Sequence, residues 1–160
     1  MQPCIVSLIL ATLTFSQTGG VPDLSGTWKM ISRKATYRST PPKSLVYTIV
    51  QNGNAIEITA IRDGRAEKVK YLINGGAQII GFPNSTSETV ANAYWETSSL
   101  IIETKQNGKD PPPGSLTSSN TFYTSWYVER YTMSGDGKTL ILTRRDVRTK
   151  DQVVFVFEKQ

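Results

Sequence analysis

The sequence predicts an all-β protein, a single antiparallel up-and-down barrel of about 8–10 strands. Three observations lead there. Apolar and polar residues alternate with period two through a series of short runs, as in Ile56-Glu57-Ile58-Thr59-Ala60. The runs are punctuated by turn signals: Asn52-Gly53, Asp63-Gly64, Asn74-Gly75-Gly76 and Ser134-Gly135-Asp136-Gly137. Nowhere do apolar residues recur at helical spacing over three turns. A two-sheet sandwich has the same spacing, but a meander of hairpins closes most simply as a barrel, and closure removes its edges.

The chain opens on a different kind of segment. Ile5 to Phe15 is apolar apart from Ser and Thr. That is the length of a signal-peptide core and is too short to span a bilayer as a helix. Small residues at Thr14 and Ser16 suit cleavage after Ser16. Residues 1–16 are therefore expected to be a signal peptide and 17–23 a polar linker, leaving 24–160 as one barrel domain, exported to the periplasm or beyond. No later stretch is apolar enough to cross a membrane.

Strands follow in order. The first spans about 26–33 and ends in a loop carrying Pro41-Pro42. Residues 44–51 form the second, with Tyr47, Ile49 and Val50 giving strong β propensity. Hairpin turns at Asn52-Gly53 and Asp63-Gly64 set off the third (55–62) and fourth (65–73). A short fifth covers 78–82, a sixth 88–95 and a seventh 99–105. The longest loop, 106–119, holds Pro111-Pro112-Pro113-Gly114. The eighth strand, 120–133, is long and aromatic. Alternation puts Phe122, Trp126 and Val128 on one face, and Tyr123, Tyr127 and Tyr131 on the other. The ninth and tenth cover 138–145 and 151–159.

Absences limit the chemistry. There is no His, and the one Cys, Cys4, lies in the leader. Ser-His and Cys-His nucleophiles are excluded, as is a zinc site of the usual N/S type. Any catalysis would fall to carboxylates, Tyr, Lys or Arg. Among the strand carboxylates Glu57, Glu103 and Glu129, alternation sends most outward. No metal or cofactor is expected.

Gly26-Thr27-Trp28, opening the first strand of a chain this size, resembles the lipocalin-like (calycin) barrels. The Ser25-to-Lys29 opening, with the late hairpin from Gly135 to Leu140, is also similar to small exported bacterial members of that group. The resemblance implies that Gly26 and Trp28 plug the closed base while a basic side chain crosses the indole. Lys159, Arg130 and Lys138 lie toward the base, and Lys159 is the choice.

If strands run up and down, the connections sort onto two ends. One end collects 34–43, 63–64, 83–87, 106–119 and 146–150, and the other receives the tighter turns. A loop-rich mouth over a closed base is how a ligand-holding barrel is built. Ten cationic residues fall at the mouth (Lys34, Arg38, Lys43, Arg62, Arg65, Lys105, Lys109, Arg145, Arg148 and Lys150). They face four aspartates, Asp63, Asp110, Asp146 and Asp151, so the mouth should attract an anionic partner. The net charge of +5 is also what solubility alone would require.

The expected function is binding of a small apolar or amphiphilic ligand, an anionic one being among those the basic mouth suits, rather than catalysis. Its candidate contacts are Arg38, Arg148, Tyr71, Trp126 and Tyr127. A ligandless structural module of the cell envelope is the alternative, and a carboxylate/Tyr/Arg barrel enzyme the third reading. A lumen above roughly 300 Å³ separates the first two. A buried carboxylate facing Arg or Tyr inside it favours the third. Basic and aromatic residues also interleave as in single-strand binders, but no RNA-binding motif is present and no nucleic-acid partner is expected.

Overall fold

The computed structural model describes residues 20–36, 41–81, 88–107 and 123–160. The leader, Arg38 and Phe122 lie outside the described residues. Ten antiparallel strands form one nearly closed sheet, with no helix among the described residues. They are β1 (Gly26–Thr36), β2 (Leu45–Asn52), β3 (Ala55–Arg62), β4 (Arg65–Leu72) and β5 (Gln78–Ile80). After them come β6 (Thr89–Glu96), β7 (Ser99–Asn107), β8 (Tyr123–Met133), β9 (Thr139–Asp146) and β10 (Gln152–Lys159). Each strand pairs with its sequence neighbours except at β4–β5, and β1 pairs with β10 to bring the ends together.

Alternation builds the core. Leu45, Tyr47 and Ile49 of β2 are buried, and their neighbours Thr48 and Val50 are exposed. The same rule turns Ile56 and Ile58, Leu100 and Ile102, Leu140 and Leu142, and Phe155 and Phe157 inward. The outward positions are mostly polar, with Val50, Ile61 and Ile141 among the apolar exceptions, whereas a barrel wall that faces lipid is apolar throughout. No helix among the described residues is long and apolar enough to cross a membrane.

Three irregularities shape the barrel. At Ile31, 59% exposed, the β1–β10 register slips by one residue. Met30 is therefore level with Phe157, while beyond the bulge Arg33 and Ala35 take the inward column. β1 pairs with β2 only from Gly26 to Lys29. Above that point the Pro41-Pro42 segment stands beside β1, where the Arg33 guanidinium donates to the Pro42 carbonyl.

The third irregularity is the seam. β4 meets β6 through a parallel bridge, Ile73 with Ala93, and the Asn74 amide donates to the Ala93 carbonyl at 2.8 Å. The Gln78 side chain bonds both the amide and the carbonyl of Leu72, at 3.0 and 3.1 Å, in place of a strand partner. Toward the mouth the free edge of β4 carries Arg65, Glu67, Lys68 and Lys70, all exposed, and such charges discourage edge-to-edge pairing.

Turn chemistry agrees with sequence except in one detail. Asp63 and Gly64 both have positive φ (48° and 84°), as a type I′ hairpin requires. The β2–β3 turn falls one residue later than Asn52-Gly53. Asn52 pairs with Ala55, so Gly53 and Asn54 are the central residues. Only Gly53 has positive φ (57°), the II′ pattern, which wants Gly first.

Candidate functional site in the upper lumen

The base of the barrel is solid. Trp28 is fully buried, and its indole Nε1 donates to the Leu24 carbonyl at 2.9 Å. Lys159, directly opposite on β10, lays its Nζ 5.1 Å from the indole centroid. It reaches there over Gly26, where a Cβ would stand 2.7 Å from Lys159 Cε. Arg130 is engaged elsewhere, in an ion pair with Glu96 on the outer face. Above Trp28, Tyr47 packs on Phe157 (centroids 5.1 Å) and on Tyr131 (6.2 Å).

Toward the mouth the inward columns change character. On β9 they read Leu140, Leu142, Arg144, Asp146, and on β8, Met133, Tyr131, Glu129, Tyr127, Ser125. On β3 they read Ile56, Ile58, Ala60, Arg62. The apolar half makes the floor, and the polar half lines two cavities. The deeper one, about 120 Å³, is bounded by Tyr47, Tyr71, Tyr131, Glu67 and Glu129, among others. A wider one of about 520 Å³ opens to solvent between Pro41, Pro42, Asp146, Asp151, Val153 and Phe155. Arg62, Tyr127 and Arg144 line both, and so form the neck between them.

Glu129 is the centre of the polar cluster and is 9% exposed. It is the cross-strand partner of Arg144, whose Nε stands 3.9 Å from Oε1. Its other oxygen, Oε2, accepts from the Tyr131 hydroxyl at 3.0 Å. Arg144 in turn stacks its guanidinium 3.9 Å from the Tyr127 ring centroid. The Tyr127 hydroxyl lies close to Thr104, and that of Tyr47 close to Tyr131. Burial first, and the Glu129 charge second, push the phenol pKa of Tyr47, Tyr71, Tyr127 and Tyr131 upward. These four are neutral hydrogen-bonding groups at any physiological pH. Burial alone would lower the pKa of Arg144, but Glu129 and the surrounding tyrosines outweigh it and raise the value.

Of the sequence candidates, Tyr71 and Tyr127 stand in the lumen. Trp126 does not. Alternation from Tyr127 turns it outward, where its Nε1 donates to Glu103 at 2.8 Å and Lys105 lies 4.5 Å from its ring. A lumenal ligand cannot reach it. Arg148 lines neither cavity; its exposed residue sits in the β9–β10 turn, its amide held by Asp146 Oδ1 at 2.8 Å. Arg38 lies outside the described residues.

Arg38, Lys109 and Asp110 of the expected basic mouth lie outside the described residues, and among the described ones the cavity itself is of mixed sign. Its wall presents Arg62 and Arg144 against Asp146 and Asp151, because alternation turns Lys105 and Arg145 to the outside. Glu129 and Arg144 are the residues sequence reasoning missed. Their signal was available in the alternation: Glu129 lies two residues from both Tyr127 and Tyr131 on one strand face, and Arg144 two residues from Leu142.

Among the described residues, no group of three or more acidic, His or Cys side chains is placed to hold a metal ion. The nearly closed ten-stranded antiparallel barrel is compatible with a calycin-like fold. No protein-family model matches the chain, and no curated protein is detectably similar to it.

Proposed function

We propose that this barrel binds a small amphiphilic molecule in its upper lumen. The apolar body rests in the wider cavity against Pro41, Pro42, Val153 and Phe155, and the anionic head reaches the arginine neck. The observation that carries this is the double role of Arg62, Tyr127 and Arg144, which border both cavities at once. The wider cavity, about 520 Å³, falls within the roughly 300–1,000 Å³ of small-molecule pockets. Burying the body contributes about 25 cal/mol per Å² of apolar area removed from water. Arg62 is exposed, so its attraction is modest and weakened by salt.

Calorimetric titration with decanoate and with decan-1-ol tests the reading. Decanoate should bind more tightly at low salt, and the preference should shrink at high salt. Arg62→Gln, at an exposed position, should weaken decanoate about fivefold and leave decanol unchanged. Absence of saturable heat from either compound, with the protein folded, overturns it.

A catalytic barrel is the second reading, favoured by Glu129, a buried carboxylate beside Arg144 and Tyr131. Recovery of a bound compound chemically unchanged after long incubation supports binding; conversion abolished in Glu129→Gln supports catalysis.

A further inference from the structure

The deeper cavity narrows the ligand class, on the reading that the lumen binds an amphiphile. Its wall carries two cations, Arg62 and Arg144, and two carboxylates, Glu67 and Glu129. A simple carboxylate head meets the arginines well but comes close to Glu129. That residue holds one oxygen, Oε2, in a bond from Tyr131. Its other oxygen, Oε1, has Arg144 Nε at 3.9 Å, beyond hydrogen-bond range. A carboxylate oxygen at 9% residue exposure, facing a cavity, favours a donor from whatever enters. An anion placed there with no donor of its own meets like charge instead.

We infer that the preferred head group is a carboxylate with a hydrogen-bond donor on the adjacent carbon, an α-hydroxy or α-amino acid. Its carboxylate lies at the Arg62–Arg144 neck, and its hydroxyl or ammonium donates to Glu129 Oε1. Glu129 and Arg144 are direct cross-strand partners. The acceptor and donor they present, Glu129 Oε1 and Arg144 Nε, stand 3.9 Å apart, a gap that adjacent substituents on one carbon can bridge through a single head. The cavity, about 120 Å³, has room for such a five-atom head but not for the chain behind it, which stays in the wider cavity above.

Calorimetry with decanoate, 2-hydroxydecanoate and 6-hydroxydecanoate reads this directly. The 2-hydroxy acid should bind about tenfold more tightly than decanoate, as expected for a hydrogen bond to a charged, buried acceptor. The 6-hydroxy acid, whose donor is too far along the chain, should gain nothing. In Glu129→Gln the like charge is gone, so decanoate should tighten and the advantage of the 2-hydroxy acid fall to about twofold. The wild-type comparison of the two hydroxy isomers stands even if that variant does not fold. Decanoate binding as tightly as the 2-hydroxy acid overturns the inference and leaves lumenal binding intact. An equal gain from both isomers, or an advantage unchanged in Glu129→Gln, also overturns it. If none of the three acids binds, the lumenal reading falls as well.

Discussion

Trp28, Gly26 and Lys159 act as one unit at the base, and their contributions separate by physical origin. Trp28 is wholly buried among Leu24, Tyr47 and the residues above, so its loss leaves a large cavity. Trp28→Ala should cost about 3–5 kcal/mol. Gly26 has φ of +138°, a conformation that side-chain-bearing residues rarely adopt. An added methyl would also push against Lys159, but that flexible side chain can move aside, so the backbone carries the cost of Gly26→Ala, about 1–3 kcal/mol. Lys159 is exposed, and its contact with the indole contributes at most about 1 kcal/mol. Urea denaturation midpoints should fall in that order. A loss from Lys159→Ala equal to that from Trp28→Ala would mean that the cation, not the buried indole, anchors the base.

At the scale of elements, the hairpins carry a testable strain. The β6–β7 turn puts Thr97 at φ of 54°, where a β-branched side chain is strained. Glycine relieves that strain at a smaller entropic cost, so Thr97→Gly should stabilise by about 0.5–1 kcal/mol. Thermal unfolding should shift upward by a few degrees, and an unchanged or lowered midpoint would show that the turn already accommodates Thr97. Strand number and order were legible because turn residues and period-two alternation are local properties. The β2–β3 turn was displaced by one residue because Asn-Gly can supply either the first or the second pair of a tight turn. The choice belongs to the Asn52–Ala55 register.

For the whole molecule, the buried tyrosine cluster ties stability to alkaline pH. Tyr47, Tyr71, Tyr127 and Tyr131 have raised pKa values in the folded state, because burial and then Glu129 oppose a phenolate. Above about pH 10 the unfolded chain gives up these protons while the folded one keeps them. The unfolded state then binds fewer protons than the native, and the slope of stability with pH is negative. The stabilisation is complete below the unfolded value and is lost as pH rises through the folded ones. Each tyrosine contributes up to about 1.4 kcal/mol per pH unit in that window. Urea midpoints should hold between pH 7 and 9 and drop steeply above 10, with phenolate absorbance from Tyr47, Tyr71 and Tyr131 appearing only on unfolding. Phenolate signal from these positions in a protein still folded at pH 11 would refute the cluster's burial.

The amino-acid sequence by itself determined the all-β class, the antiparallel barrel and the buried Trp28. Backbone pleating imposes period two within a strand, and turn residues announce where one strand stops and the next begins. Which charged residue meets which was decided only by the tertiary structure. The same alternation that placed Tyr127 and Tyr131 together also placed Glu129 with them. Its value came from Arg144 opposite, on a different strand, at a register set by the Ser134–Gly137 turn. Loop membership misjudged the mouth for the same reason. Lys105 and Arg145 belong to mouth-end strand termini yet face outward, while Arg62 and Arg144 face in. Closure between β4 and β6, and the bulge at Ile31 that turns Arg33 and Ala35 into the inward column, depend on contacts between segments far apart in the chain. No local pattern encodes them.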